Sequence, residues 1–121
     1  MKEYLLLIRS VGNPVAGFSP EEVQRHVQKV GAYIEGLAKA GKMKSAQPLA
    51  MEGAFVAGGN GKAVTDGPFV ESKEVIAGYY HILAADLKEA VDIAKNDPRF
   101  EDAADWRIEV RPVQVVDGIN D

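Results

Sequence analysis

Cysteine is absent from these 121 residues, which excludes disulfides, thiolate nucleophiles and thiolate metal sites and agrees with a reducing compartment. No run of Lys or Arg is long enough to follow a phosphate backbone, and a formal net charge of -4 leaves no broad basic surface. Direct contact with nucleic acid is therefore not expected. Long apolar stretches are missing too. The opening segment Met1-Lys2-Glu3-Tyr4-Leu5-Leu6-Leu7-Ile8-Arg9 carries an acid early and ends its apolar run at Arg9, unlike a signal peptide or a membrane span. Together these absences predict a soluble, cytoplasmic protein that does not engage a membrane. Histidine occurs only twice, at His26 and His81, without metal-ligand spacing. Gly58-Gly59-Asn60-Gly61 lacks the lysine and following helix of a phosphate loop, and no triad or dinucleotide fingerprint is present. Neither a metal nor a cofactor is expected.

What is present is a 46% hydrophobic chain, long enough for one domain over residues 1–121 with a real core. Tyr4 to Arg9 is a nearly unbroken apolar run ended by Ser10, Gly12, Asn13 and Pro14, a buried strand followed by a loop. Ser19-Pro20-Glu21-Glu22 combines an N-cap serine, a first-turn proline and a glutamate at the third position, which opens a capped helix. Val23, Val27, Val30, Ile34 and Leu37 give that helix an apolar stripe up to Gly41. Met43 to Leu49 reads as a strand, with Pro48 near its end suiting an edge or a bulge better than the sheet centre. Phe55 to Ala57 and Ala63 to Thr65 flank an Asn-Gly turn and form a hairpin.

Val75 to Ala84 is another strongly apolar strand, and Asp86 with Glu89 caps a second helix burying Leu87, Ala90, Val91 and Ala94 before Pro98. Trp106 to Arg111 alternates apolar and charged residues, as a strand with two unlike faces does. The order β, α, β, hairpin, β, α, β predicts an α+β fold, a ferredoxin-like split βαβ sheet with two helices on one face. Two helices cover only one side, yet the strands at Tyr4 to Ile8 and Val75 to Leu83 are apolar on both. A second copy related by a two-fold axis is the simplest cover, so a homodimer built sheet to sheet is expected.

Polar chemistry concentrates at Asp66-Gly67-Pro68-Phe69-Val70-Glu71-Ser72-Lys73-Glu74. Gly67 admits unusual backbone angles and Pro68 fixes its own, so this loop is rigid enough to hold a carboxylate. Asp66 and Glu71 are acid/base candidates there, with Glu74 beside them and Lys73 as electrostatic partner. Asp66 also has a purely local use, starting the turn through backbone N–H groups. Tyr79 offers an aromatic wall with a phenol donor, Tyr80 being the alternative, and either also serves as core. Arg107, Glu109 and Arg111 share one strand face near Arg9, which suits a small anionic ligand, although charged strand faces more often form a solvated ladder or an interfacial ion pair. His81, in its apolar strand, is the histidine expected to be mostly buried, and His26 the one expected at a helix boundary.

Asp66-Gly67-Pro68-Phe69, Glu71, Lys73-Glu74, Gly78-Tyr79 and Glu89-Ala90, together with Ser19-Pro20-Glu21-Glu22 and Val110-Arg111-Pro112-Val113, resemble the DGPF-motif branch of the YCII-related family. The resemblance spans nearly the whole chain and implies a ferredoxin-like subunit of a dimeric α+β barrel. It implies no settled activity; similar proteins carry a vague transcription-related label, which would make the chain an accessory protein-interaction module. Some members of the wider family pair a histidine in the first helix with an aspartate. Counted back from Gly41, that position falls at Val30, one turn after His26, which weighs against a simple histidine–aspartate mechanism. Asp97-Pro98 resembles an Asp-Pro step of the family and reads as a helix stop. The expected function is therefore binding of a small anionic or aromatic molecule, or cofactor-free catalysis, at a polar site near the Asp66 loop and a dimer cleft. Asp66, Glu71 and His81 are its candidate catalytic groups, and Arg9, Lys73, Tyr79 and Arg111 its candidate ligand contacts. A loop that serves only folding and dimerisation is the remaining alternative.

Overall fold

The computed structural model describes residues 1–61, 63–66 and 74–121, the middle group as backbone. Among these residues six strands and three α-helices follow one another: β1 (Lys2–Ser10), α1 (Pro20–Lys39), β2 (Met43–Pro48), β3 (Ala54–Ala57), β4 (Ala63–Asp66), β5 (Val75–Ala84), α2 (Leu87–Lys95), α3 (Arg99–Asp102) and β6 (Arg107–Pro112). The main sheet has the order β2-β5-β1-β6, and β3 pairs with β4 in a separate hairpin. Every neighbour is antiparallel. This is the ferredoxin-like arrangement: β5 lies between β1 and β2, and β1 between β5 and β6, so each βαβ unit is split by a strand of the other. The edge position expected for β2 is observed.

Capping sets where α1 begins and ends. Ser19 Oγ accepts from the Glu22 N–H at 3.2 Å while Glu22 Oε1 accepts from the Ser19 N–H at 3.0 Å, the reciprocal box. At the far end Lys42 N–H bonds Leu37 O and Gly41 N–H bonds Ala38 O. Gly41 sits at φ 74°, a conformation glycine adopts without a Cβ penalty, so the helix closes in a Schellman turn and delivers β2. Asp86 caps α2 through the Glu89 N–H at 2.9 Å. Glu89 reaches back to the Ala85 N–H rather than to the cap itself, a looser version of the expected box.

Alternation divides the sheet into two unlike faces. Tyr4, Leu6 and Ile8 of β1 and Tyr80, Ile82 and Ala84 of β5 are buried beneath the helices, where they join Ala90, Ile93, Ala94 and Trp106 in one core. Leu5, Leu7, Tyr79 and Leu83 point the other way and stay only half-buried. Two expected core residues depart from their assignment. Val27 is 60% exposed and Leu87 50% exposed, because α1 stands off the sheet near Val27 and Leu87 is the first residue of its helix.

Candidate functional site

Where α1 stands off, a cavity of about 270 Å³ opens between the helix and the β2–β5 side of the sheet. Val27, Val30 and Ile34 form its helical wall and Pro48 closes it along β2, while His26 and Arg99 supply its charged or titratable lining. Gly31 also faces it; a Cβ built there meets nothing within 4 Å.

His26 is held from outside the cavity. Its Nδ1 lies 2.6 Å from Asp102 Oδ2, and Lys29 Nζ donates to Asp102 Oδ1 at 2.7 Å. His26 and Lys29 are three residues apart and so share a helix face. Asp102 ends α3, the short turn that carries the chain back onto α1. The two paired side chains are only 11% and 16% exposed. Burial pushes the Asp102 carboxyl up, but hydrogen bonds from Lys29 and then His26 outweigh it and hold the group below its ordinary value. An ionised carboxylate only accepts, so Nδ1 donates, and in the neutral ring the lone pair then lies on Nε2. Trp106 stacks on the ring at 6.0 Å with an interplanar angle of 10°, and Phe18 meets it edge-on at 6.3 Å. The imidazole is thereby fixed in both tautomer and plane.

Arg99, the cationic lining group, belongs to a buried network. Asp97, whose side chain is 0% exposed, receives Arg99 Nη1 at 2.9 Å on Oδ2. Tyr80 O–H donates to the same oxygen at 3.1 Å, and the Arg99 main-chain N–H to Oδ1 at 2.9 Å. Nη1 also donates to the Tyr80 oxygen. The guanidinium lies 5.5 Å from the ring centres of both Tyr80 and Trp106, placing its charge against two π faces. Burial drives the Tyr80 hydroxyl well above the usual tyrosine range, so it stays protonated. Asp97 thus stops α2 as expected and also anchors Arg99.

On the opposite sheet face the structure gathers Arg9, Glu109, Arg111, His81 and Tyr79, all singled out from sequence. Arg9 Nε donates to Glu109 Oε1 at 2.9 Å and Arg111 Nη1 to Glu109 Oε2 at 3.1 Å. The hydrogen bonds from Arg111 and then Arg9 hold Glu109 below its ordinary value. The ladder of ion pairs, one of the two readings open for this face, is what forms. His81 Nε2 lies 2.7 Å from Glu3 Oε1, which Lys44 also contacts at 2.9 Å. Its side chain is 27% exposed, more than the mostly buried setting expected, because odd-numbered β5 residues face away from the helices. Tyr79 is opposite Leu7 in register, between the two charged clusters. Glu74 pairs with Arg107 at 3.1 Å. Glu71, Lys73 and the Asp66 carboxylate lie outside the described residues; only the Asp66 backbone, ending β4, is placed. No cluster of three or more potential metal ligands occurs among the described residues, and none of their helices is long and apolar enough to cross a membrane.

Sequence reasoning set His26 aside and left out Asp102, Arg99 and Trp106. The histidine–aspartate pairing that the Val30 position argued against is made here from His26, with Asp102 and not Asp97 as partner. One signal was available: Asp97-Pro98 ends α2 with several polar residues still to come before β6, room for a turn that returns to α1.

The YCII-related domain matches residues 2–114. An uncharacterized protein of Rhizobium meliloti (strain 1021) is 30% identical over 113 residues, covering 91% of this chain and 90% of its own length. The chain belongs to the YCII-related family.

Proposed function

We propose that this member of the YCII-related family binds a small molecule in the cavity under α1 and performs acid–base chemistry on it with His26. The observation that supports the reading is the pairing of His26 Nδ1 with ionised Asp102, which leaves Nε2 of the neutral ring as the proton acceptor beside a partly open cavity. In the proposed step Nε2 takes a proton from the ligand. The electron pair left behind moves into a neighbouring carbonyl or expels a leaving group, and the imidazolium returns its proton to another atom. Such an isomerisation or elimination needs neither thiol nor metal. Nitrogen-15 NMR tests the first half: His26 should carry its proton on Nδ1 near neutral pH, and Asp102→Asn should abolish that preference. Screening a fragment library by ligand-observed NMR tests the second half. Hits should disappear in Gly31→Leu, which projects a side chain into the open space; an Nε2-protonated His26, or hits indifferent to that plug, would defeat the reading.

A second reading concerns the other face. Half-buried Leu5, Leu7, Tyr79 and Leu83 between two charged clusters favour a partner surface with an apolar centre and a polar rim. A second copy of the chain is the proposed partner, with Arg9, Tyr79, His81 and Arg111 at the junction and a small anionic or aromatic molecule as the ligand of the cleft between the copies. Sedimentation at micromolar concentration should show a dimer that Leu7→Lys dissociates, and a monomeric wild-type protein would remove this reading.

A further inference from the structure

Beyond His26 the cavity is apolar along α1; Ala46, Gln47 and Pro48 line it along β2, and among the described residues Arg99 is its one permanently cationic contact. Arg99 commits a single nitrogen of its guanidinium to the buried network: both side-chain hydrogen bonds it makes among the described residues leave from Nη1. Nε, enclosed by the fold, has no hydrogen-bond partner among them. In an arginine side chain Nε–H lies along the same edge as one terminal nitrogen, and that edge is a planar two-donor fork matched to a carboxylate. Nε itself shows almost no accessible surface, so a ligand meets it only after a small shift of the Arg99 side chain; because an enclosed donor without an acceptor is costly, an acceptor that reaches it is favoured beyond its bare charge.

Charge balance narrows the anion further. Around the cavity Arg99 faces Asp97, and Lys29 faces Asp102 across from His26. The two ion pairs cancel and His26 as the base is neutral, so a bound monoanion leaves one excess negative charge and a dianion two, and only the smaller excess is offset by the donors of Arg99.

We propose that the ligand is a small monocarboxylate with an apolar or aromatic body, its carboxylate on the free edge of Arg99 and its body along Val27, Val30, Ile34 and Pro48. The assignment rests on the reading of this cavity as a ligand site and adds the chemical class. Anchored at one end, such a molecule presents a carbon near its carboxylate to His26, the position from which a proton is most readily removed once an adjacent carbonyl can take up the charge.

Benzoate and benzamide share shape and differ in charge, so they test the class without altering the protein. Titrations followed by NMR should show benzoate binding at least about ten-fold tighter, with movement of the His26 and Arg99 Nε–H signals. Arg99→Gln should remove the preference, and the wild-type comparison stands if that variant does not fold. Equal binding of both probes in the cavity, or tighter binding of phenyl phosphate than benzoate, overturns the carboxylate assignment and leaves the cavity reading intact. Absence of any response at His26 to either probe overturns both.

Discussion

Replacing Arg99 by methionine isolates the buried network from the packing around it. Methionine keeps an unbranched apolar stem against Tyr80 and Trp106 but removes the guanidinium. Asp97, with a side chain 0% exposed, then retains only the Tyr80 hydroxyl at 3.1 Å and one main-chain N–H at 2.9 Å. Removing one partner of a buried ion pair costs about 3–5 kcal/mol because the remaining charge is left uncompensated. For a domain of this length that is a large part of total stability, and it corresponds to a fall in melting temperature on the order of 10–20 °C. Arg99→Met combined with Asp97→Asn removes the charge as well as its partner, so the double variant should recover more than half of the loss. Urea unfolding followed by tryptophan fluorescence measures all three proteins. A single variant within about 1 kcal/mol of wild type, or a double variant no better than the single, would refute the claim that Arg99 neutralises a buried carboxylate.

Two further outcomes follow from the same geometry. A Cβ at Gly78 would stand 2.8 Å from Gln47 O and 3.3 Å from Pro48 Cα, so Gly78→Ala should push β2 outward, cost about 1–3 kcal/mol and weaken cavity ligands together with the urea midpoint; an unchanged midpoint would show that the β2–β5 contact yields freely. Asp102, Glu3 and Glu109 all have carboxyl groups held below their ordinary values, so each contributes stability that is present above the unfolded-state value and lost as pH falls through the folded-state one. The stability gap between wild type and Asp102→Asn should therefore be full at pH 7 and narrow progressively as the pH falls below the ordinary carboxyl value of 3.8; a gap that does not narrow with falling pH contradicts the pairing.

Local signals carried the fold because each acts within a few residues. Ser19 with Glu22, Gly41 after the Leu37 stripe, and Asn60 at φ 59° between β3 and β4 each fix a boundary by short-range hydrogen bonding or backbone sterics. Sheet order then followed from the pattern of elements. The cavity site has no such short-range signal. His26 and Asp102 are 76 residues apart in sequence, and their meeting depends on the turn after Pro98 and on how far α1 stands from the sheet. Periodicity placed Val27 in the inward stripe, yet its 60% exposure marks the place where the helix leaves the sheet. A hydrophobic stripe predicts which side of a helix faces inward, not how closely each turn of it packs.

Alternation along β5 has a functional consequence. Tyr79 and Tyr80 are adjacent, but Tyr80 enters the Asp97–Arg99 network beside the cavity while Tyr79 faces the charged clusters of the open side. Along β1 the same division separates Ile8, beside the cavity, from Arg9, paired to Glu109. The two proposed surfaces are thus joined through the backbone of shared strands and not through any shared side chain. Effects of substitutions that touch no common partner usually add, so Leu7→Lys on the open face should alter assembly while leaving benzoate affinity within a factor of about two, equivalent to roughly 0.4 kcal/mol. If dissociation instead abolished benzoate binding, the strands themselves would have to shift on pairing, and assembly would be the step that shapes the cavity.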